Sequence, residues 1–189
     1  MTKDKNRVCP VELAPSMDTR IRRLIQNPDK ILSRYIQEGM TVLDIGCGPG
    51  YFSKEIAKLV GIKGKVIAAD LQEGMLQIVR DKIKGTELEK IIQTVKCSTS
   101  GINVTEKVDF ILAFYMVHEV PDKDSLFKEL KNILNVEGKI LLVEPKLFHL
   151  SKSEFLNTVK IAEKNGFKTS PAPKVLFSWS AILEHAMAG

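Results

Sequence analysis

The sequence has little of what marks several large protein classes. Only 6% of its 189 residues are aromatic, and its three cysteines, Cys9, Cys47 and Cys97, lie far apart with no CxxC pair among them. Neither a disulfide framework nor a zinc site is expected, and all three read as reduced thiols. The longest uninterrupted apolar run, residues 110–117, is far below the roughly 20 residues a bilayer-spanning helix needs. The first residues, MTKDKNRVCPVELAPS, carry charges but no apolar h-region, so they do not read as a secretory signal, and a cytoplasmic location is the default expectation. Neither sign of charge dominates: 28 Lys+Arg stand against 23 Asp+Glu. The densest late group, Lys152, Lys160, Lys164 and Lys168, reads as a solvated face, so a nucleic-acid partner is not expected. Internal repeats, low-complexity tracts and domain linkers are missing too, which leaves one domain over residues 1–189.

What is present is an alternation of short apolar runs with amphipathic stretches. At 44% hydrophobic, a chain of this length removes about two thirds of its unfolded surface from water and needs no covalent staple. Ile21, Leu24 and Ile25 recur at helical spacing, and Asn27-Pro28 supplies a cap and a first helical position for the stripe through Ile36. Strands are predicted over 41–45, 65–69, 91–97, 108–114 and 139–144, with helices over 73–84 and 122–134 and another led by Phe52 and Ile56. Continuous apolar strands separated by helices imply a parallel sheet covered on both faces. Ser151 and Glu154 form a capping-box pattern that opens a further helix ending near Gly166. Two short strands, over 167–170 and from 174 onward, have no room for a crossover helix between them, so they should pair antiparallel through Pro171-Ala172-Pro173.

The segment Val42-Leu43-Asp44-Ile45-Gly46-Cys47-Gly48-Pro49-Gly50 puts glycines where a strand turns into a helix, which lets a ligand approach the backbone. Taken alone it fits any nucleotide. Tyr51 stands where the GxGxxG dinucleotide fingerprint has its third glycine, which disfavours NAD. Asp70 closes the second strand about twenty residues on, where an acid would accept hydrogen bonds from ribose hydroxyls. Together Asp44, Gly46, Gly48, Gly50 and Asp70 resemble the class I S-adenosylmethionine-dependent methyltransferases. The likeness extends through VDFILAFYMVHEVPD and LKNILNVEGKILLVEP, covers residues 29–178, and is greatest to the small ubiquinone/menaquinone-type methyltransferase-like group.

The resemblance implies a Rossmann-like, doubly wound seven-stranded α/β sheet, mostly parallel with the last strand antiparallel, and S-adenosyl-L-methionine as cofactor. It implies that Gly46, Cys47, Gly48 and Phe114 flank the methionine part, that Asp44 orders its amino end, that Asp70 holds the ribose and that Leu71 packs on adenine. Ser98 stands where many relatives direct an acid at the adenine amino group, a departure from the pattern. The leader 1–23 reads as a lid over the 29–178 core.

His118, just beyond the fourth strand, is the candidate catalytic residue, because a hydroxyl or carbon acid must lose its proton before it attacks a methyl group. A structural histidine is the other reading. Strand four reads Ala113-Phe114-Tyr115-Met116 rather than the Asn/Asp-Pro-Pro-Tyr/Phe pattern of nucleic-acid amino-methylating enzymes, so a small-molecule acceptor is favoured. An RNA methyltransferase needs a contiguous basic surface at the methyl site. A non-catalytic S-adenosylmethionine-binding module needs a sealed acceptor pocket. A metalloid acceptor needs Cys9 and Cys97 to converge. No metal ligand is predicted, and a homodimer is expected on base rate alone.

Overall fold

The aliphatic runs of the sequence form the strands of one sheet because their residues are apolar on both faces. The structure is a computed structural model that describes residues 10–14, 20–146 and 150–186. A 3-10 turn over Val11–Leu13 precedes α1 (Arg20–Ile25) and α2 (Pro28–Leu32), and Asn27 caps α2 by accepting the N–H groups of Asp29 and Lys30. Then come β1 (Thr41–Ile45), α3 (Tyr51–Val60), β2 (Lys65–Asp70), α4 (Glu73–Ile83), β3 (Ile92–Lys96) and β4 (Val108–Phe114). The chain continues with α5 (Lys123–Ile133), β5 (Leu134–Pro145), α6 (Lys152–Lys164), β6 (Phe167–Ser170) and β7 (Ser178–His185).

The strand order is β3-β2-β1-β4-β5-β7-β6, with β7 antiparallel to both neighbours and the other pairs parallel. Alternation along each strand divides the core in two. Val42, Val66 and Phe110 face α2, α3 and α4, while Leu43, Ile67 and Ile111 face α5 and α6. Because the chain moves outward from β1 to β3 and then jumps back beside β1 as β4, a crevice opens at the C-terminal ends of β1 and β4, where open α/β sheets bind ligands.

Three boundaries differ from the sequence reading. α2 stops at Leu32 although the apolar stripe continues, because Tyr35 leaves the helix to stack on Phe110 at 5.8 Å. β5 starts at Leu134, directly off α5, where Leu134 pairs with Val108 ahead of a register shift, so the strand predicted over 139–144 begins five residues earlier. β7 starts at Ser178, since residues 171–177 form a connector rather than a tight turn. Within it Val175 is buried in the core, and the prolines lack the N–H groups a strand would use. The Ser151–Glu154 capping box is present. Among the described residues no helix is long and apolar enough to cross a membrane.

Candidate active site

The turn after β1 is built from backbone. Gly46 and Gly48 take φ of 69° and 53°, a left-handed conformation that costs a residue bearing a Cβ. At Gly46 such an atom would also lie 2.6 Å from Cβ of Met116. The Gly46 and Cys47 N–H groups both donate to the Ala69 carbonyl, at 2.8 and 3.1 Å. Gly48 donates to Asp70 Oδ2 at 2.9 Å, and Gln72 donates to Asp70 Oδ1 at 2.8 Å. Asp70 thus ties the turn to the end of β2 while lone pairs on both oxygens stay available, as ribose recognition requires. Burial raises its carboxyl above the ordinary value, against these backbone hydrogen bonds and the nearby Lys96 ammonium.

Asp44 is buried in β1 and accepts a 2.5 Å hydrogen bond from the Ser53 hydroxyl of α3. Burial drives its pKa up to about 7, with Ser53 opposing, Asp70 adding and the Arg22 charge subtracting. A carboxyl so poised gains most from a cation placed beside it. Arg22 comes from α1: its guanidinium lies 4.6 Å from the Tyr51 ring centre, 5.6 Å from Phe52 and 5.9 Å from Phe114, and its Nε donates to Gln26 Oε1 at 3.0 Å. No local motif marks Arg22 in the sequence; it lies in the leader 1–23 and reaches the cavity from α1. Much of that leader, with Cys9, lies outside the described residues, as do the side chains of Ile21 and Leu24.

These groups line a cavity of about 660 Å³ at the C-terminal ends of β1, β2 and β4. Asp44, Gly46, Cys47, Gly48, Asp70, Leu71, Ser98 and Phe114 all contribute to its wall. Ser98 does so within a tight turn, where its hydroxyl contacts the Ser100 hydroxyl at 3.0 Å and the Gly101 carbonyl at 3.3 Å. An acid does reach this end, Glu129 of α5, which accepts the Ile102 N–H at 2.8 Å. Helical periodicity alone gave Glu129 no sign of this role. Arg22 is the one cationic side chain among the described lining residues, against Asp44, Asp70, Glu119, Asp122 and Glu129, a balance that opposes a polyanion.

His118 stands behind the wall rather than in it. Its Nδ1 is 2.5 Å from Oε2 of the buried Glu144 at the end of β5, and its N–H donates to Glu144 Oε1 at 3.2 Å. Nε2 lies 3.9 Å from Oε1 of the lining residue Glu119. Burial works against the imidazolium, but the Glu144 hydrogen bond and charge, joined by Glu119, outweigh it and hold the group above its usual pKa. Glu144 is the partner the sequence reading missed; a lone acid at a strand end gives no sign of its mate. The thiols of Cys47 and Cys97 are pushed up by burial, Cys97 to about 11, so neither is a ready nucleophile. Among the described residues no cluster could hold a metal ion.

Comparison with known proteins agrees with this geometry. A family model described as a methyltransferase domain matches residues 36–183. The chain is 32% identical over 110 residues to the demethylmenaquinone methyltransferase of Lactobacillus johnsonii, covering 58% of this chain and 45% of that protein. It is 27% identical over 144 residues to the ubiquinone/menaquinone biosynthesis C-methyltransferase UbiE of Shewanella frigidimarina, covering 76% and 55%. The chain therefore spans about half the length of the curated relatives it matches. A solved S-adenosylmethionine-dependent methyltransferase from Aquifex aeolicus superposes with a TM-score of 0.81 at 25% identity, over 93% of this chain and 97% of the other. A TehB-like methyltransferase from Corynebacterium glutamicum shares the fold with a TM-score of 0.71 at 14% identity, over 93% and 100%.

Proposed function

Because the chain belongs to the class I S-adenosylmethionine-dependent methyltransferases, we propose that it methylates a small, weakly polar acceptor of the quinone-precursor type at the β4–β5 end of the cavity. The observation that carries this reading is the Gly46–Gly48 turn, tied to Asp70 and opening beside a buried acid, Asp44, whose pKa is raised to about 7. A glycine turn that lines the cavity presents backbone to a ligand, and a buried carboxyl poised to ionise suits a cationic one, so the residues fit the cofactor. When bound, S-adenosylmethionine supplies a methyl group already activated on a sulfonium.

The chain then has to bind, orient and exclude water. Asp70 and Leu71 hold the ribose and adenine, Asp44 meets the ammonium group, and Arg22 meets the carboxylate from the leader side. Phe114, Tyr115 and Met116 form the apolar wall against which the acceptor lies. His118, behind this wall, takes the acceptor's proton by way of the lining Glu119 carboxylate, 3.9 Å from its Nε2, and Glu144, a positioning residue, fixes the ring through Nδ1 and stabilises the imidazolium that results. The names of the relatives support a quinone-type ring, and the acid-rich lining supports a neutral acceptor over RNA.

Calorimetric titration with S-adenosylmethionine, S-adenosylhomocysteine and NAD tests the cofactor; methyl-labelled cofactor with hydroquinone analogues tests the acceptor. Micromolar affinity for the sulfur ligands and none for NAD is expected, followed by label in the ring. Asp70→Ala should weaken cofactor binding by about 1–3 kcal/mol, and unchanged affinity in that variant would overturn the ribose assignment. Cofactor binding with no turnover on any acceptor would make the chain a binding module.

A further inference from the structure

We infer that the exposed apolar pair Leu176 and Phe177, with Lys174 and Lys146 beside it, is a docking surface for an anionic lipid bilayer. Leu176 and Phe177 are each 54% exposed, while Val175 beside them is only 5% exposed. The β6–β7 connector therefore turns one apolar side chain inward and holds the next two out.

That presentation is fixed rather than frayed. Phe177 has a φ of 57°, a left-handed conformation uncommon for a bulky residue and one that persists only where its surroundings impose it. Its carbonyl accepts the Lys146 N–H at 2.9 Å, Ser178 N–H donates to the Val175 carbonyl at 3.1 Å, and the Ser178 hydroxyl donates to the Leu176 carbonyl at 3.1 Å. The same Ser178 hydroxyl lies 2.6 Å from the Tyr115 hydroxyl, which accepts Gln26 Nε2 at 2.7 Å. Tyr115 lines the cavity. One hydrogen-bonded chain thus joins the connector to the cavity wall and to Gln26, the residue after α1, so the Leu176–Phe177 pair is tied to the side of the cavity that Tyr115 lines.

Cations stand beside it. Lys174, two residues before Leu176, and Lys146, whose N–H bonds the Phe177 carbonyl, are both exposed. Lys146 lays its ammonium 4.5 Å from the Trp179 ring centre, and Lys152 lies 6.0 Å from the same ring. Exposed lysines beside protruding Leu and Phe match the two layers of a bilayer interface: acyl chain for the apolar pair, lipid phosphate for the ammonium groups. The surface stands on its own geometry.

Vesicle flotation of the full chain tests it, with phosphatidylcholine alone and phosphatidylcholine containing phosphatidylglycerol. Binding to the anionic vesicles is expected, at least tenfold weaker without the anionic lipid and reversed by salt. The double substitution Leu176→Ser/Phe177→Ser should lower it at least tenfold, and Lys152→Glu/Lys174→Glu should lower it several-fold. Val136→Ser, at an 80% exposed site at the opposite end of β5, should change nothing. S-adenosylmethionine titration of each variant separates a lost surface from a lost fold. The surface assignment fails if the cofactor-binding chain floats with neither vesicle, if the surface variants float like the parent, or if they only convert a dimer to a monomer.

Discussion

On the β1–β2 side of the cavity the wall is main chain: the Gly46 and Cys47 N–H groups are tied to Ala69, and Gly48 and Gln72 are tied to Asp70. On the β4–β5 side it is side chain, with Phe114, Tyr115 and Met116 in front and the His118–Glu144 pair behind. A backbone wall recognises one invariant ligand and tolerates almost no substitution. A side-chain wall can be re-lined for a different acceptor while the fold stays intact. The two halves should therefore fail differently when altered, the first in affinity and stability, the second in turnover.

The hardest test of that contrast is Gly46→Ala. Its methyl group meets Met116 at 2.6 Å in a left-handed backbone, so overpacking and strain together should cost about 2–5 kcal/mol of stability. Cofactor binding should disappear with it. Thermal denaturation and calorimetry read both, and a stable variant with parental affinity would mean that the turn can open without consequence.

His118→Gln should cut turnover by about 10²–10⁴-fold and leave cofactor affinity alone. Because Glu144 and Glu119 hold the imidazole above its usual pKa, kcat/KM of the parent should rise with pH through a value above 6.5 and then level off. A base works only once deprotonated, so the acid limb should vanish in the variant. A flat parental profile would make the histidine purely structural.

Asp44 supplies a smaller, graded effect. With its pKa at about 7, cofactor affinity should fall as the pH drops below that value, by up to about tenfold per unit, and Asp44→Asn should flatten the dependence. Stability runs the other way in the ligand-free protein. A carboxyl whose folded value lies above its unfolded 3.8 favours folding fully below that unfolded value, and the contribution is lost as the pH rises through about 7. Cofactor should therefore raise the melting temperature most on the alkaline side.

The legible parts of this molecule are those where local sequence and long-range packing ask for the same residue. Gly46, Gly48 and Asp70 stand at a fixed spacing because a strand, a turn and the next strand end must meet, Gly48 bonding Asp70, and Asn27 and Ser151 announce helix starts through their own side chains. Glu144, Arg22 and Glu129 were illegible for the opposite reason. Each acts across the fold, 26 residues from His118 in the first case, and nothing near it in sequence reports the partner. Boundaries slipped where tertiary packing overrode a local signal, at Tyr35 drawn onto Phe110 and at Gly138 inside β5.

Ser98 gives the smallest expected effect and the sharpest division within the backbone half. It lines the cavity, yet its hydroxyl contacts both Ser100 and Gly101 inside its own turn. If the hydroxyl serves the loop, Ser98→Ala should change cofactor affinity by less than about threefold, the value of one exposed neutral hydrogen bond. Glu129 also reaches this end, already holding the Ile102 N–H. Titrating Ser98→Ala with S-adenosylhomocysteine and with its 6-oxo analogue decides the matter. Equal, small losses for both ligands leave the serine as a loop tie; a tenfold loss confined to the amino form would make it an adenine-recognising residue.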